Sequence, residues 1–94
     1  EKIVEKIAHN PAIIFKVNKR GFLREGFYAD IVLIDSNTPT HVTQESLLYK
    51  CGWSPFEGQK FDNSIHKTIL NGNVVYEDGI VNSIPFGKKI TFNR

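Results

Sequence analysis

The apolar residues of this chain recur with different spacings along its length, and each spacing predicts a different element. At the start, Ile3, Val4, Ile7 and Ala8 fall at i, i+1, i+4 and i+5, the stripe of an amphipathic helix over residues 1–8. Asn10-Pro11 then reads as a reset. Asn10 suits an N-cap and Pro11 the first helical position, where its missing N–H costs nothing, with Ile13, Ile14 and Phe15 as the apolar side of a short second helix. Gly21 and Gly26 bracket Phe22-Leu23-Arg24-Glu25, which reads as a short strand-and-turn unit. In Ala29-Asp30-Ile31-Val32-Leu33-Ile34-Asp35 the unbroken aliphatic run is too short for a helix. It predicts a strand buried on both faces, the central strand of the sheet.

Ser36 to Thr40 leave that strand as a loop. Thr43-Gln44-Glu45-Ser46 resembles a capping box with Ser46 in place of Glu or Gln, which predicts a brief helix through Tyr49. Cys51-Gly52-Trp53-Ser54-Pro55-Phe56-Glu57-Gly58 is a loop in which large rings sit between glycines and a proline. Such rings bury about 150–250 Å² each, so the loop reads as an anchor. From Ile65 the chain is a β-meander. His66 to Leu70 and Asn73 to Glu77 flank Asn71-Gly72, the strongest short signal for a two-residue type I′ hairpin, pairing Leu70 with Asn73 and Ile69 with Val74. Asp78-Gly79 repeats the device before Ile80-Val81, and Lys89-Ile90-Thr91-Phe92 reads as a last short strand. No repeat period is present.

Composition narrows the class. The chain has 94 residues, 40% hydrophobic and 23% charged, the profile of one small globular domain, too apolar and too evenly charged for disorder. At this size the core is thin. No apolar stretch reaches the roughly 18 residues of a membrane span, and no signal pattern is present. There is no methionine at all, and the first helix opens without an N-cap; both point to a piece of a longer chain. The net charge is +2, and the basic residues, densest at Lys16, Lys19, Arg20 and Arg24, are scattered. They lack the one-sided stripe with stacking aromatics that nucleic acid requires. Neither nucleic acid nor membrane is expected as a partner. The single cysteine, Cys51, excludes an internal disulfide and suits a reducing, cytoplasmic setting.

The residues that carry chemistry do not assemble into a motif. His9, His41 and His66 are more than twenty residues apart, so neither a His-x-His nor any other metal-ligand spacing is present. Asp35 and Asp78 fall in turns, and Glu25 lies beside Arg24. No Ser-His-Asp arrangement, phosphate loop or dinucleotide fingerprint occurs. No catalytic, substrate-binding or metal-ligating residue is assigned.

The order of the motifs nevertheless resembles a known family. Asn10-Pro11-Ala12 with Phe15, then Gly21-x-Leu23-x-x-Gly26-x-x-Ala29-Asp30 with the run Ile31 to Asp35, and Ile69-Leu70-Asn71-Gly72-Asn73-Val74-Val75-Tyr76-Glu77-Asp78-Gly79 are similar, in that order, to the C-terminal segment of the amidohydrolase superfamily. Lys50-Cys51-Gly52-Trp53-Ser54-Pro55-Phe56-Glu57-Gly58 looks like the corresponding loop of dihydroorotases, where allantoinases tend to carry His-Ser-Pro-Tyr.

The resemblance implies a mainly β fold with a short N-terminal helix. It would be the C-terminal part of the small β-sandwich (composite) domain that flanks a (β/α)8 metal-dependent hydrolase barrel. Residues 1–15 would be the end of the last barrel helix and a linker, and residues 16–94 the C-terminal portion of the sandwich. It also implies a parent dihydroorotase, which hydrolyses dihydroorotate reversibly to N-carbamoyl-L-aspartate in pyrimidine biosynthesis. The metal ligands, for one or two zinc ions, would all lie upstream, so this segment would hold no cofactor and show no activity alone. Its partners would be the N-terminal part of the same enzyme and, for the parent, a small-molecule substrate, with the oligomeric state open. The alternatives are an allantoinase- or hydantoinase-type relative, an inactive dihydroorotase-like subunit, or a stand-alone small β binding module.

Overall fold

The computed structural model describes residues 1–94. Helix α1 (Lys2–Val4), a π-helical turn (Glu5–His9) and helix α2 (Asn10–Ile14) follow one another without a break. The expected reset at Asn10 does not occur, because Asn10 is itself helical (φ −62°, ψ −45°) and its N–H bonds to the carbonyl of Glu5, five residues back. The cause lies in Pro11. Its ring would clash with the carbonyl four residues earlier and it donates no hydrogen bond, so a wide turn just before it lets the helix continue. The helix ends when Lys16 takes a left-handed conformation (φ 55°). The N–H of Val17 then bonds to Ala12 O (2.9 Å) and that of Lys16 to Ile13 O (3.2 Å), the paired bonds of a Schellman cap with lysine where glycine is usual.

The connector that follows, residues 16–30, folds back onto the helix and forms no strand at Phe22–Glu25. The Phe22 ring stacks on His9 (4.3 Å between centroids, 6° between planes), and the Arg24 guanidinium lies 4.1 Å over Phe22. These residues cover the helix in place of pairing with a neighbour. Gly21 makes this approach feasible. A β-carbon there would come within 2.5 Å of Ala12 Cβ and 2.8 Å of Ala8 O, so only glycine lets the two backbones meet.

Strands β1 (Ile31–Asp35), β4 (Ser64–Leu70), β5 (Asn73–Glu77) and β6 (Ile80–Val81) form an antiparallel sheet in the order β1-β4-β5-β6, and β2 (Thr40–His41) pairs with β3 (Lys60–Phe61) in a separate ribbon. The fold is mainly β with one short N-terminal helix. β1 is thus an edge strand, not the central one. The inner strands are β4, which has neighbours on both sides, and β5. Val32, Leu33 and Ile34 of β1 are exposed; no residue of this chain covers the two faces that an unbroken aliphatic run is built to bury. The β1–β4 register skips His66, and the β4–β5 register skips Val75, each a bulge that sharpens the local twist.

Both hairpin turns have the expected form. Asn71 and Gly72 (φ 51° and 81°) and Asp78 and Gly79 (φ 47° and 87°) join Leu70 to Asn73 and Glu77 to Ile80. Thr43 and Ser46 form a reciprocal capping box (3.0 and 3.2 Å). Its 3-10 turn stops at Ser46, short of Tyr49, because Leu47 is already extended (φ −78°, ψ 127°). The expected last strand is reduced to a single bridge between Val17 and Phe92.

Only Ala12 is buried, at 8% exposure. The radius of gyration, 15.4 Å, exceeds the roughly 12 Å of a compact domain of this length. Replacing Gly72 by Val in the whole natural polypeptide forces a β-branched residue to φ 81°. It is expected to cost more than about 1 kcal/mol, read as a more than about fivefold rise in amide exchange across the β4–β5 hairpin; unchanged exchange would mean that the turn is of another type.

Candidate functional site: a polar junction and an uncovered face

The histidines are far apart in function as well as in sequence. His9 is stacked on Phe22, His41 lies in β2, and His66 Nδ1 is 2.8 Å from Asp78 Oδ1 in the β5–β6 turn. No three His, Cys, Asp or Glu side chains gather where a metal could sit. Cys51 is exposed and its sulfur approaches only the Trp53 carbonyl (3.7 Å). The side chains here therefore do not by themselves form the zinc centre that the family resemblance places upstream.

The densest set of polar contacts is a junction between the connector, the entry to β1 and the β4–β5 turn. Arg20 pairs with Asp30 and donates to Asn71 Oδ1 (3.3 Å). Asp30 accepts from the Asn71 N–H (2.9 Å), and Gly72 N–H bonds to Ala29 O (3.0 Å). Asn71 Nδ2 in turn donates to Phe86 O. The Arg20 side chain is only 11% exposed and lies against the Tyr28 ring at 4.3 Å. Sequence reasoning noted Arg20 only as part of a basic group and Asp30 only as part of a motif; their pairing is a product of the tertiary fold. The one available signal was the carboxylate directly before an apolar strand, a place where a charge needs a partner.

Directly opposed residues of antiparallel strands share a face. By the register, Val32, Thr68, Tyr76 and Val81 line up across the sheet, with Ile34 and Ile65 beside them. This face is apolar and uncovered, and it holds a shallow hollow of about 440 Å³ bounded by Ile65, Thr68, Tyr76 and Val81. The opposite face carries the Lys67–Glu77 ion pair (3.3 Å) together with the exposed Leu33, Val74 and Ile80. Each aliphatic side chain of the uncovered face is about half exposed, so covering the remainder would be worth roughly 1 kcal/mol apiece. Ile3, Ile7 and Ile14 along the helix are likewise exposed.

The aromatic loop is ordered against the β2–β3 ribbon. Gly58 N–H bonds to Val42 O (2.8 Å), Val42 N–H to Gln59 O (2.9 Å), and the Phe56 ring meets Phe61 edge-on at 6.1 Å. Phe56 thus has a partner within the chain, whereas Trp53 remains 62% exposed. No helix is long and apolar enough to cross a membrane.

Against this geometry, the comparisons define the class. The chain belongs to the amidohydrolase family, whose model matches residues 1–75. An allantoinase of Desulfitobacterium hafniense is 37% identical over 89 residues, covering 95% of this chain and 20% of the relative. A dihydroorotase of Pyrococcus abyssi is 38% identical over 88 residues, covering 94% and 22%. A dihydroorotase of Endomicrobium trichonymphae is 40% identical over 76 residues, covering 81% and 18%. The chain spans about a fifth of the length of the curated relatives it matches.

Asp35 gives a pH prediction. The Asn37 N–H (2.9 Å) and the Thr38 hydroxyl (2.7 Å) donate to its carboxylate. Together with the charge of His66, they hold its pKa below the ordinary aspartate value, with the Asn37 bond the largest cause. A depressed carboxylate contributes stability that is present above its unfolded pKa and lost as pH falls through the folded one. The Asp35 carboxyl is therefore expected to titrate below the ordinary value by NMR, with the protection of the Asn37 amide lost over that same acid window. A midpoint at the ordinary value would contradict the assignment.

Proposed function

We propose that this chain is a non-catalytic, structural portion of a dihydroorotase-type cyclic amidohydrolase. In this reading residues 1–15 are the end of a barrel helix and its linker, and residues 16–94 are part of a β-sandwich beside the barrel. The observation that carries the choice of dihydroorotase is the loop Lys50-Cys51-Gly52-Trp53-Ser54-Pro55-Phe56-Glu57-Gly58, with its exposed Trp53. Dihydroorotases among the relatives support it. The parent reaction would be reversible hydrolysis of dihydroorotate to N-carbamoyl-L-aspartate in the cytoplasm, with metal ligands supplied by residues other than these.

The uncovered sheet face and the isoleucine stripe of the helix support a structural role, since both need apolar partners that this chain does not supply. The partner in this reading is the remainder of the same enzyme, with Trp53 acting as a clasp against it. An allantoinase-type reaction is the second reading, favoured by the Desulfitobacterium relative at 37% identity.

Assays of the whole natural polypeptide with dihydroorotate and with allantoin separate the two. Turnover of dihydroorotate alone is expected; turnover of allantoin alone would overturn the first reading in favour of the second. The 94-residue stretch by itself should be inert with both and should carry no stoichiometric zinc by metal analysis, and one or two zinc ions per chain would refute the non-catalytic role. Trp53 emission should lie to the red in the stretch alone and shift to the blue in the whole polypeptide. The same maximum in both would mean that Trp53 is no clasp.

A further inference from the structure

Residues 82–94 contain neither helix nor strand, yet they are held along their length. At the sheet end, Asn82 N–H bonds to Val75 O (2.8 Å) and Ile84 N–H to Asn82 Oδ1 (3.0 Å). At the hairpin tip, Phe86 O accepts from Asn71 Nδ2, and Lys88 Nζ lies 5.5 Å from the Tyr28 ring. At the helix end, Asn18 N–H bonds to Thr91 O (2.8 Å), Asn18 Nδ2 approaches Thr91 Oγ1 (3.3 Å), and Asn93 N–H bonds to Lys16 O (2.8 Å). These bonds bracket the Val17–Phe92 bridge. The segment lies beyond the residues matched by the family model.

We propose that residues 82–94 are a strap that fixes the helix 2–14 relative to the sheet. The helix scarcely touches the strands. It is held by the connector, through Gly21 against Ala12 and Phe22 against His9. The connector meets the sheet at the Arg20–Asp30–Asn71 junction, through Arg20, four residues past the helix cap at Lys16, and Asp30 at its far end. One attachment leaves the helix free to pivot. The strap adds a second attachment at residues 16–18, directly at the helix cap, and closes the frame. Ordering a segment without regular structure costs about 1–2 kcal/mol per residue in backbone entropy, so a tail held this way needs specific contacts. Apart from the internal Ile84–Asn82 bond, its hydrogen bonds reach the sheet at one end and the helix cap at the other. The left-handed Lys16 serves both: it caps the helix and presents its carbonyl to Asn93.

The test uses the whole natural polypeptide with Cys51→Ser, Val17→Cys and Phe92→Cys. The bond pattern around this bridge is that of the close, non-hydrogen-bonded pair, with Cα atoms about 4.5 Å apart, a spacing that a disulfide accepts. Amide exchange is compared between the oxidised and reduced forms, and in a separate Thr91→Val, Asn93→Pro variant that removes two strap contacts. Oxidation should slow exchange at the connector amides of residue 17 and Tyr28 at least tenfold. Strap release should speed them by a similar factor, with the β4–β5 amides unchanged in both. Connector exchange that is equal in the two redox states, or that changes only together with the β4–β5 amides, would overturn the strap. Should the release variant fail to fold, the redox comparison decides alone.

Discussion

The Arg20–Asp30 pair and its bonds to the Asn71 turn are the constraint on which the rest of this structure depends. They join three stretches that local interactions would leave independent: a helix with its folded-back connector, the edge strand β1, and the tip of the β4–β5 hairpin. With Arg20 largely shielded, hydrogen bonds to its charge are worth about 1.5–3 kcal/mol each, a large amount in a chain with one buried residue. The turn has to be type I′ for this to work. Its left-handed Asn71 presents the backbone N–H to Asp30 while its side chain meets Arg20 on one side and Phe86 O on the other.

Much of the local structure was legible because it rests on backbone chemistry that single residues dictate. Asn71-Gly72 and Asp78-Gly79 announce positive φ, and both turns are where those residues place them. Thr43 with Ser46 announces a cap, and the cap is present. The misreadings share a different origin. Asn10 followed by Pro11 looks like a helix start, but a π turn upstream relieves the proline, and nothing in the residue pattern signals a turn of that width. Ile31 to Ile34 reads as a doubly buried central strand because an unbroken aliphatic run reports how much cover the strand requires, not which residues supply it. The same holds for Phe22, whose stacking on His9 draws residues 22–25 out of any strand.

The positions of the histidines were legible from their spacing; the polar junction was not. The spacing of His9, His41 and His66 assigns them no shared role, and the structure places them in a ring stack, a short strand and a turn contact. The junction was not legible, since Arg20, Asp30 and Asn71 meet only after the sheet has formed. Membership of the amidohydrolase family, with about a fifth of the relatives' length spanned, gives the exposed apolar residues a physical meaning. Val32, Ile34, Ile65 and Val81 on the sheet, Ile3, Ile7 and Ile14 on the helix, and Trp53 in the loop are surfaces shaped for cover. Under the proposed function, a β-meander with apolar residues open on both faces and an extended outline is one component of a larger enzyme, held in shape by turns, caps and one polar junction.

That claim is tested most directly by calorimetry of residues 1–94 alone and of the whole natural polypeptide. The account predicts a broad, weak transition for the stretch alone and a sharp one that includes these residues when the rest of the polypeptide is present. A sharp two-state transition of the stretch alone, with the roughly 0.7 kcal/mol per residue of a packed domain, would contradict it.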